Sequence, residues 1–390
     1  MKRVLVILVL LLIVRVCCAK PDYYRSKGVF YFEKPAKELS NYYAFQYPPT
    51  KNLMGETAIV ADSLLIMPTW NAQKDKKEEF STIYSFRMRD HEILDSLVIP
   101  SIHVAHACYD RDIYLLGTTR NGVSDTLDVI NIDNHLKIKE IHHYQIPSGL
   151  HMKDVEIAND NLHIICVSDN HEFCHLTIDL KTKKLSNIEN LSDKSIIASL
   201  SDGFLFYVEQ DSADIRYIKQ SLADKQAKPV EQTIPYKIES EIMKDDIAFQ
   251  FEVSGDYMVL SYHQKLDFDK EVGLLKIVLI NMEKNTFVAK TVEGATRSFL
   301  LKDNSLYTFK SVFRPSYNKI KDYQVLTVTK QDLNLQNEKE LITFFPREWN
   351  YAFDIVAEEG NNIALIGDYM YTNSKVGKSY LSVYLAQFHL

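Results

Sequence analysis

His171, Glu172 and His175 stand in the spacing His-Glu-x-x-His. On a helix, residues i and i+4 share a face, so two imidazoles so placed can ligate one zinc while the glutamate between them serves as general base. The surrounding sequence argues against that chemistry. The apolar run Leu162 to Val167 ends just before Ser168, Asp169 and Asn170, and the β-rich run Cys174 to Leu180 follows at once, so the pentapeptide falls in a turn between two strands. On a strand, residues four apart are about 13 Å from each other, too far for one zinc ligated at about 2 Å. No metal is expected at these histidines, and no cofactor.

Other groups with chemical potential are dispersed. His103 and His106 are expected ahead of the first strand of a second structural unit, His142 and His143 in its last strand, and His151 at the opening of the third. Asp154, Glu156, Glu252 and Asp354 fall in expected first strands. A pair of such carboxylates held roughly 5 to 9.5 Å apart could hydrolyse a glycoside; otherwise they line a solvated channel. The sequence has no serine in a nucleophile elbow, no Gly-rich phosphate loop and no EF-hand-like calcium loop. Tyrosine is frequent, at 23 residues, and three long aromatic loops begin at 262, 310 and 367. Arg297, Arg347, Trp349, His103, His106 and Asp354 would share a face with those loops, a set suited to gripping a sugar or a peptide.

The elements that would position these residues repeat. Seven segments carry a polar turn pair followed by an apolar quartet, with first apolar residues Leu64, Ile113, Leu162, Phe204, Tyr257, Leu306 and Ile363. The spacings are 49, 49, 42, 53, 49 and 57 residues. Six positions upstream lie Ala58, Ala107, Glu156, Ala198, Phe251, Leu300 and Ala357, and the preference for alanine suits a strand crowded near an axis. A second β-rich segment follows most anchors, and a weaker strand follows that. Each unit thus supplies four short strands in a meander, with turns made by Asp, Asn and Ser because glycine is scarce at 12 in the chain. Four-stranded units of about 50 residues repeated seven times read as an all-β, seven-bladed β-propeller of antiparallel blades, with six blades if one weak unit merges into its neighbour.

The seventh unit stops after its third strand at Leu390, and an unassigned strand-like stretch spans residues 28 to 39. An N-terminal strand closing the last blade would remove both unpaired edges. The expectation is that residues 28 to 39 pair with the strand near 380 to 388.

The chain resembles bacterial exported β-propeller proteins over nearly its whole length, at the level of architecture. It lacks the Trp-Asp dipeptide of WD40 blades, the paired glycines of kelch blades, the Tyr-Trp-Thr-Asp repeat and the Ser-x-Asp-x-Gly-x-Thr-Trp box of sialidases, so no named family's functional residues transfer to it.

Residues 1–19 have the layout of a secretory signal peptide: Lys2 and Arg3, an apolar run from Val4 to Val14, and small residues at Cys17 and Ala19. The run is shorter than the roughly 20 residues of a membrane-spanning helix. Acylation of Cys17 or Cys18 is the alternative to cleavage after Ala19, and either exports the chain to the periplasm, the outer-membrane surface or the medium. Residues 20–390 would form one propeller domain. Cleavage removes Lys2, Arg3 and Arg15 and no acid, moving the formal net charge from −7 to −10. A chain this acidic has no cationic surplus for phosphates, which excludes nucleic acid as a partner; contact with a membrane would come only through a lipid anchor. Cys108, Cys166 and Cys174 are too few for a disulfide scaffold; Cys166 and Cys174 either pair across their hairpin or remain buried thiols. These features point to a monomeric, exported, non-catalytic propeller binding a protein or glycan. A glycan-active hydrolase or lyase and a structural component of an envelope complex are the alternatives.

Overall fold

The computed structural model describes residues 24–25, 31–32, 40–46, 53–54, 59–61, 64–71, 80–87, 93–109, 112–120, 124–211, 214–224, 226–240, 249–267, 272–293, 295–315, 322–345, 352–359, 362–373 and 378–389. The expected signal peptide, residues 1–19, lies outside them. The described residues form seven antiparallel sheets, each a four-stranded meander at heart, arranged as the seven blades of a propeller. In each blade the strands are named a to d from the axis outward.

The inner strands are Ile59–Ala61, Ile102–Tyr109, Leu150–Ala158, Ser195–Ser201, Phe249–Ser254, Ala295–Lys302 and Ala352–Glu359. Neighbouring inner strands touch from the second blade round to the seventh, that of the seventh touches that of the first, and the second blade's inner strand meets the first blade at its b and c strands. Every anchor of the sequence repeat is the first or second residue of a b strand, from Leu64 in Leu64–Asn71 to Ile363 in Asn362–Asn373. Two-residue polar turns join a to b, and in the third and sixth blades they lie one residue before the polar pair read from sequence, so that Asn161 and Ser305 open the b strand. Asn159 and Asp160, Asp202 and Gly203, and Asp303 and Asn304 all have positive φ, between 48° and 78°. This is the turn whose twist matches paired strands, and short polar side chains tolerate it where glycine is absent.

The core lies between blades rather than within one central layer. Along the third blade's b strand, Asn161–Ser168, residues Leu162, Ile164 and Cys166 pack on Tyr114, Leu116 and Val129 of the second blade. The intervening Ile165 packs on Ala198, Leu200 and Leu205 of the fourth. Period-two alternation therefore faces each sheet with apolar side chains on both sides.

Closure of the ring differs in position from the sequence expectation. The strand that completes the seventh blade is Ser40–Gln46, which pairs with Lys378–His389 through Tyr43↔Gln387, Ala44↔Ala386 and Phe45↔Leu385. Within 28 to 39, Tyr31–Phe32 instead pairs with Phe344 and Phe345 on the outer edge of the sixth blade, and Tyr24–Arg25 pairs with Tyr31–Phe32 in turn. The run 28 to 39 contains Pro35, which has no N–H to give a ladder, whereas Ser40–Gln46 has none. The fold is nonetheless closed by an N-terminal strand, as expected.

Candidate functional site

The d–a connections and b–c turns open on one face of the ring, and there the inner strands share an irregularity. In the third blade Met152 pairs with Cys166 and Asp154 with Ile165, leaving Lys153 as an extra residue. The same one-residue bulge leaves Val104, Ile196, Arg297 and Asp354 unpaired in the second, fourth, sixth and seventh blades. In the fifth, Phe249 stands at the equivalent register, as the first residue of its strand. A β-bulge bends its strand and re-aims a side chain, and bulges concentrate beside binding sites. Here they recur around the channel mouth.

A cavity of about 1110 Å³ opens at this face between the third, fourth and fifth blades. Its lining includes three bulge-register residues, Lys153, Ile196 and Phe249, with Phe173 and Phe251 among its apolar walls. Lys153 and Lys194 are opposed by Glu172 and Asp193, so its rim carries both signs of charge. One lip is the b–c turn of the third blade, which holds the His-Glu-x-x-His pentapeptide. Ser168 Oγ accepts the N–H groups of Asn170 and Glu172 at 3.2 Å, and the Ser168 N–H reaches the Glu172 carbonyl at 2.9 Å. The lip is tied to the preceding d–a corner, where the Asp169 N–H donates to the Gly149 carbonyl at 3.0 Å. Gly149 has a φ of +79°, which favours glycine, and a Cβ there would come within 2.5 Å of Asp169 Oδ2 and push that side chain aside.

The two motif histidines are thereby separated. His171 is an exposed turn residue with a φ of 64°, while His175 is buried on the c strand Phe173–Asp179. The His175 ring stacks on His163, with centroids 5.1 Å apart and an Nε2 to Nδ1 distance of 3.0 Å. Turn and strand place the pair apart, as the sequence context requires. Beside them, Cys166 and Cys174 face each other in register as two buried thiols. Their mutual hydrogen bond, followed by burial, pushes the Cys166 thiol up, and the same bond pulls Cys174 down.

The inner-strand carboxylates join blades. Asp154 accepts Ser199 Oγ at 2.5 Å and the Leu200 N–H at 2.7 Å, both from the fourth blade, and its adjacent Val155 N–H at 2.8 Å. Glu156 accepts the Gly203 N–H at 2.8 Å, and Glu252 accepts the Leu301 N–H of the sixth blade at 2.7 Å. Burial outweighs these bonds and raises the Asp154 carboxyl; it raises Glu156 too, with Asp154 and Asp202 adding repulsion.

Of the residues singled out from sequence, Arg297 and Asp354 occupy bulges, and His103 precedes the bulged Val104. Both His103 and His106 lie within the inner strand Ile102–Tyr109 rather than ahead of it, because that strand starts earlier than the apolar pattern suggests. Burial pulls the His106 imidazole down from 6.5 to about 4, so it is neutral at pH 7. Arg347 and Trp349 lie outside the described residues. Sequence reasoning missed Lys153, Ile196 and Phe249. Their signal was the register nine residues before the third, fourth and fifth b-strand anchors, once Leu205 and Met258 replace Phe204 and Tyr257 as equivalents of Leu162.

No protein-family model matches the chain, and no curated protein matches it by sequence. Solved structures do match. The β-propeller domain of the Trilobed protease from Pyrococcus furiosus, with an open velcro topology, superposes with a TM-score of 0.51 at 9% identity, over 85% of this chain and 95% of its own. The acylaminoacyl peptidase of Pyrococcus horikoshii gives a TM-score of 0.51 at 10% identity, over 85% of this chain and 51% of its own. A prolyl endopeptidase gives 0.51 at 10%, over 85% and 47%. The likeness is one of fold. This chain spans about half the length of the last two proteins.

Proposed function

We propose that the chain is an exported, non-catalytic propeller that binds a protein or glycan partner at the face bearing the d–a connections and b–c turns, with the cavity between the third, fourth and fifth blades as the ligand's seat. The observation that carries this reading is the recurrent inner-strand bulge. One backbone device, repeated at one register in five blades, sets residues of different chemistry around a single channel mouth. A scaffold that keeps the device and varies the side chain is suited to recognition. The leader at residues 1–19 supports export. A hydrolase using inner-strand carboxylates finds less support, since Asp154 and Glu252 each spend an oxygen on a backbone N–H of the next blade.

The test is a screen of the mature chain against a glycan array and an array of immobilised random decapeptides, repeated with Lys153→Glu. Lys153 is exposed and bulged, so its reversal leaves the core untouched. The expected result is a binder whose affinity falls about tenfold or more with the variant at an unchanged melting temperature. Binding indifferent to Lys153→Glu, or no binder on either array, overturns the proposal.

A further inference from the structure

The cavity follows one strand from end to end: all seven residues of Ser195–Ser201 line it, against two of the third blade's inner strand. What this strand offers there is fixed by its hairpin. Asp202 and Gly203 form a two-residue turn, so Ser201 and Phe204 are the hydrogen-bonded pair that closes it. Hydrogen-bonded and non-hydrogen-bonded pairs alternate along an antiparallel ladder. Leu200↔Leu205 and Ala198↔Tyr207 are therefore non-hydrogen-bonded pairs, and the N–H and C=O groups of Ala198 and Leu200 point away from the b strand. The Leu200 N–H does so visibly, reaching across to Asp154. The Ala198 N–H and C=O and the Leu200 C=O lie on the same side without a partner among the described residues. The side chains of Ala198 and Leu200 are committed to the core with Ile165, so the cavity meets their main chain.

We infer that the ligand of this cavity is an extended peptide that adds as a strand to this edge through its free main-chain groups, the Ala198 N–H and C=O and the Leu200 C=O. This rests on the binding role proposed above and names the ligand class. An unpaired strand edge offers donor and acceptor at the peptide repeat, which another extended backbone matches group for group. The edge spans seven residues, about 20 Å at a strand's rise, and the cavity exceeds the roughly 300–1,000 Å³ typical of small-molecule sites. Ile197, Phe249 and Phe251 form an apolar wall for alternate side chains of the incoming strand, while Asn170 and Lys153 stand on the rim. The wall favours a peptide over a sugar. Its phenylalanines carry no polar group to answer a sugar's hydroxyls, and the Phe249 ring already packs against Tyr262 with centroids 5.9 Å apart.

The test uses decapeptides selected on the immobilised array against the whole chain, resynthesised with N-methyl groups on alternate residues in each of the two phases. Strand addition predicts that one phase loses about tenfold or more in affinity, since each blocked amide forfeits a hydrogen bond, while the other phase is nearly unaffected. Gln210→Trp, which fills one end of the cavity, should weaken the same peptides. Equal sensitivity of both phases, or indifference to Gln210→Trp, overturns the inference. Glycan binders that lose affinity with Lys153→Glu, and no peptide binder, overturn it while leaving the binding role standing; absence of binders on both arrays removes that role as well.

Discussion

Asp154, on the inner strand of the third blade, accepts the backbone N–H of Leu200 in the fourth at 2.7 Å, 46 residues further along the chain. Glu252 does the same for Leu301, 49 residues on, and Glu156 for Gly203. Among the described residues, inner strands are joined to one another by no ladder, so a buried N–H on their free edges needs some other acceptor. These carboxylates supply it while fixing one blade against the next.

Replacing Asp154 with alanine should therefore destabilise the fold by about 1 to 3 kcal/mol, the cost of leaving a buried donor unsatisfied. Asp154→Asn keeps an acceptor and should lose less. Wild type and Asp154→Asn also differ in pH dependence. Burial raises the Asp154 carboxyl above its ordinary 3.8, so the folded chain holds this proton more tightly than the unfolded one. The resulting stability is full below the unfolded pKa and is lost as pH rises through the folded value. In denaturant melts, the difference between wild type and Asp154→Asn should shift against the wild type as pH rises from below 4 towards neutrality. A difference constant with pH would show that the carboxyl titrates alike in both states.

His106 should act in the opposite direction. Its imidazole is pulled from 6.5 to about 4 by burial, so between those values the unfolded chain binds the proton that the folded one refuses. Stability falls as pH drops from 6.5 to about 4, by at most roughly 3 kcal/mol. His106→Gln should flatten that part of the profile. Melting temperatures measured from pH 7 to 4 check this, and an unchanged slope in the variant would falsify it.

Much of the fold was legible because it is written in side-chain types. The anchors Leu64 to Ile363 mark b strands since a strand's start is where turn polarity gives way to apolar alternation. The bulges were not legible. An extra residue in one strand is a property of the backbone count, and Val104, Lys153, Ile196, Arg297 and Asp354 share no chemistry that would mark it. Arg297 and Asp354 were singled out for their type and their expected place at the entry to an inner strand, while Lys153 and Ile196 were passed over although they occupy the same register. The closing strand was misplaced for a related reason. Tyr31 and Phe32 have the aromatic character of a blade's outer strand, and they do add to one, but to the sixth blade.

That placement separates two truncations. Among the described residues, a chain beginning at Ser40 loses only the short strands that cover the sixth blade's outer edge and keeps Ser40–Gln46. It should melt cooperatively near the wild-type temperature. A chain beginning at Tyr47 loses the closing strand, exposing the outer edge of Lys378–His389 and removing Tyr43, Ala44 and Phe45 from their pairing. Each backbone hydrogen bond of that ladder forfeited costs about 0.5 to 1.5 kcal/mol, and together they are a large part of a typical net stability of about 5 to 15 kcal/mol. Calorimetry of both truncations decides it: equal melting temperatures would mean that Ser40–Gln46 does not close the ring.

The bulge itself can be tested apart from the side chain it carries. Lys153→Ala and Arg297→Ala keep the extra residue and change only the side chain at that register, so if both residues serve recognition their melting temperatures should stay within the small range of surface substitutions. Deleting Lys153 joins Met152 to Asp154 and lets both keep their partners, Cys166 and Ile165, so the ladder becomes regular without a change of register. What is lost is the bend that a bulge gives its strand. Met152 stays against the core between the second and third blades, so the deletion should cost little more in melting temperature than the alanine variants, while ligand binding should fall with the deletion as it does with Lys153→Ala. A large drop in melting temperature for Arg297→Ala would move that arginine from recognition to the joining of blades; a deletion that binds as the wild type does would show that the bulge is dispensable to the shape of the mouth.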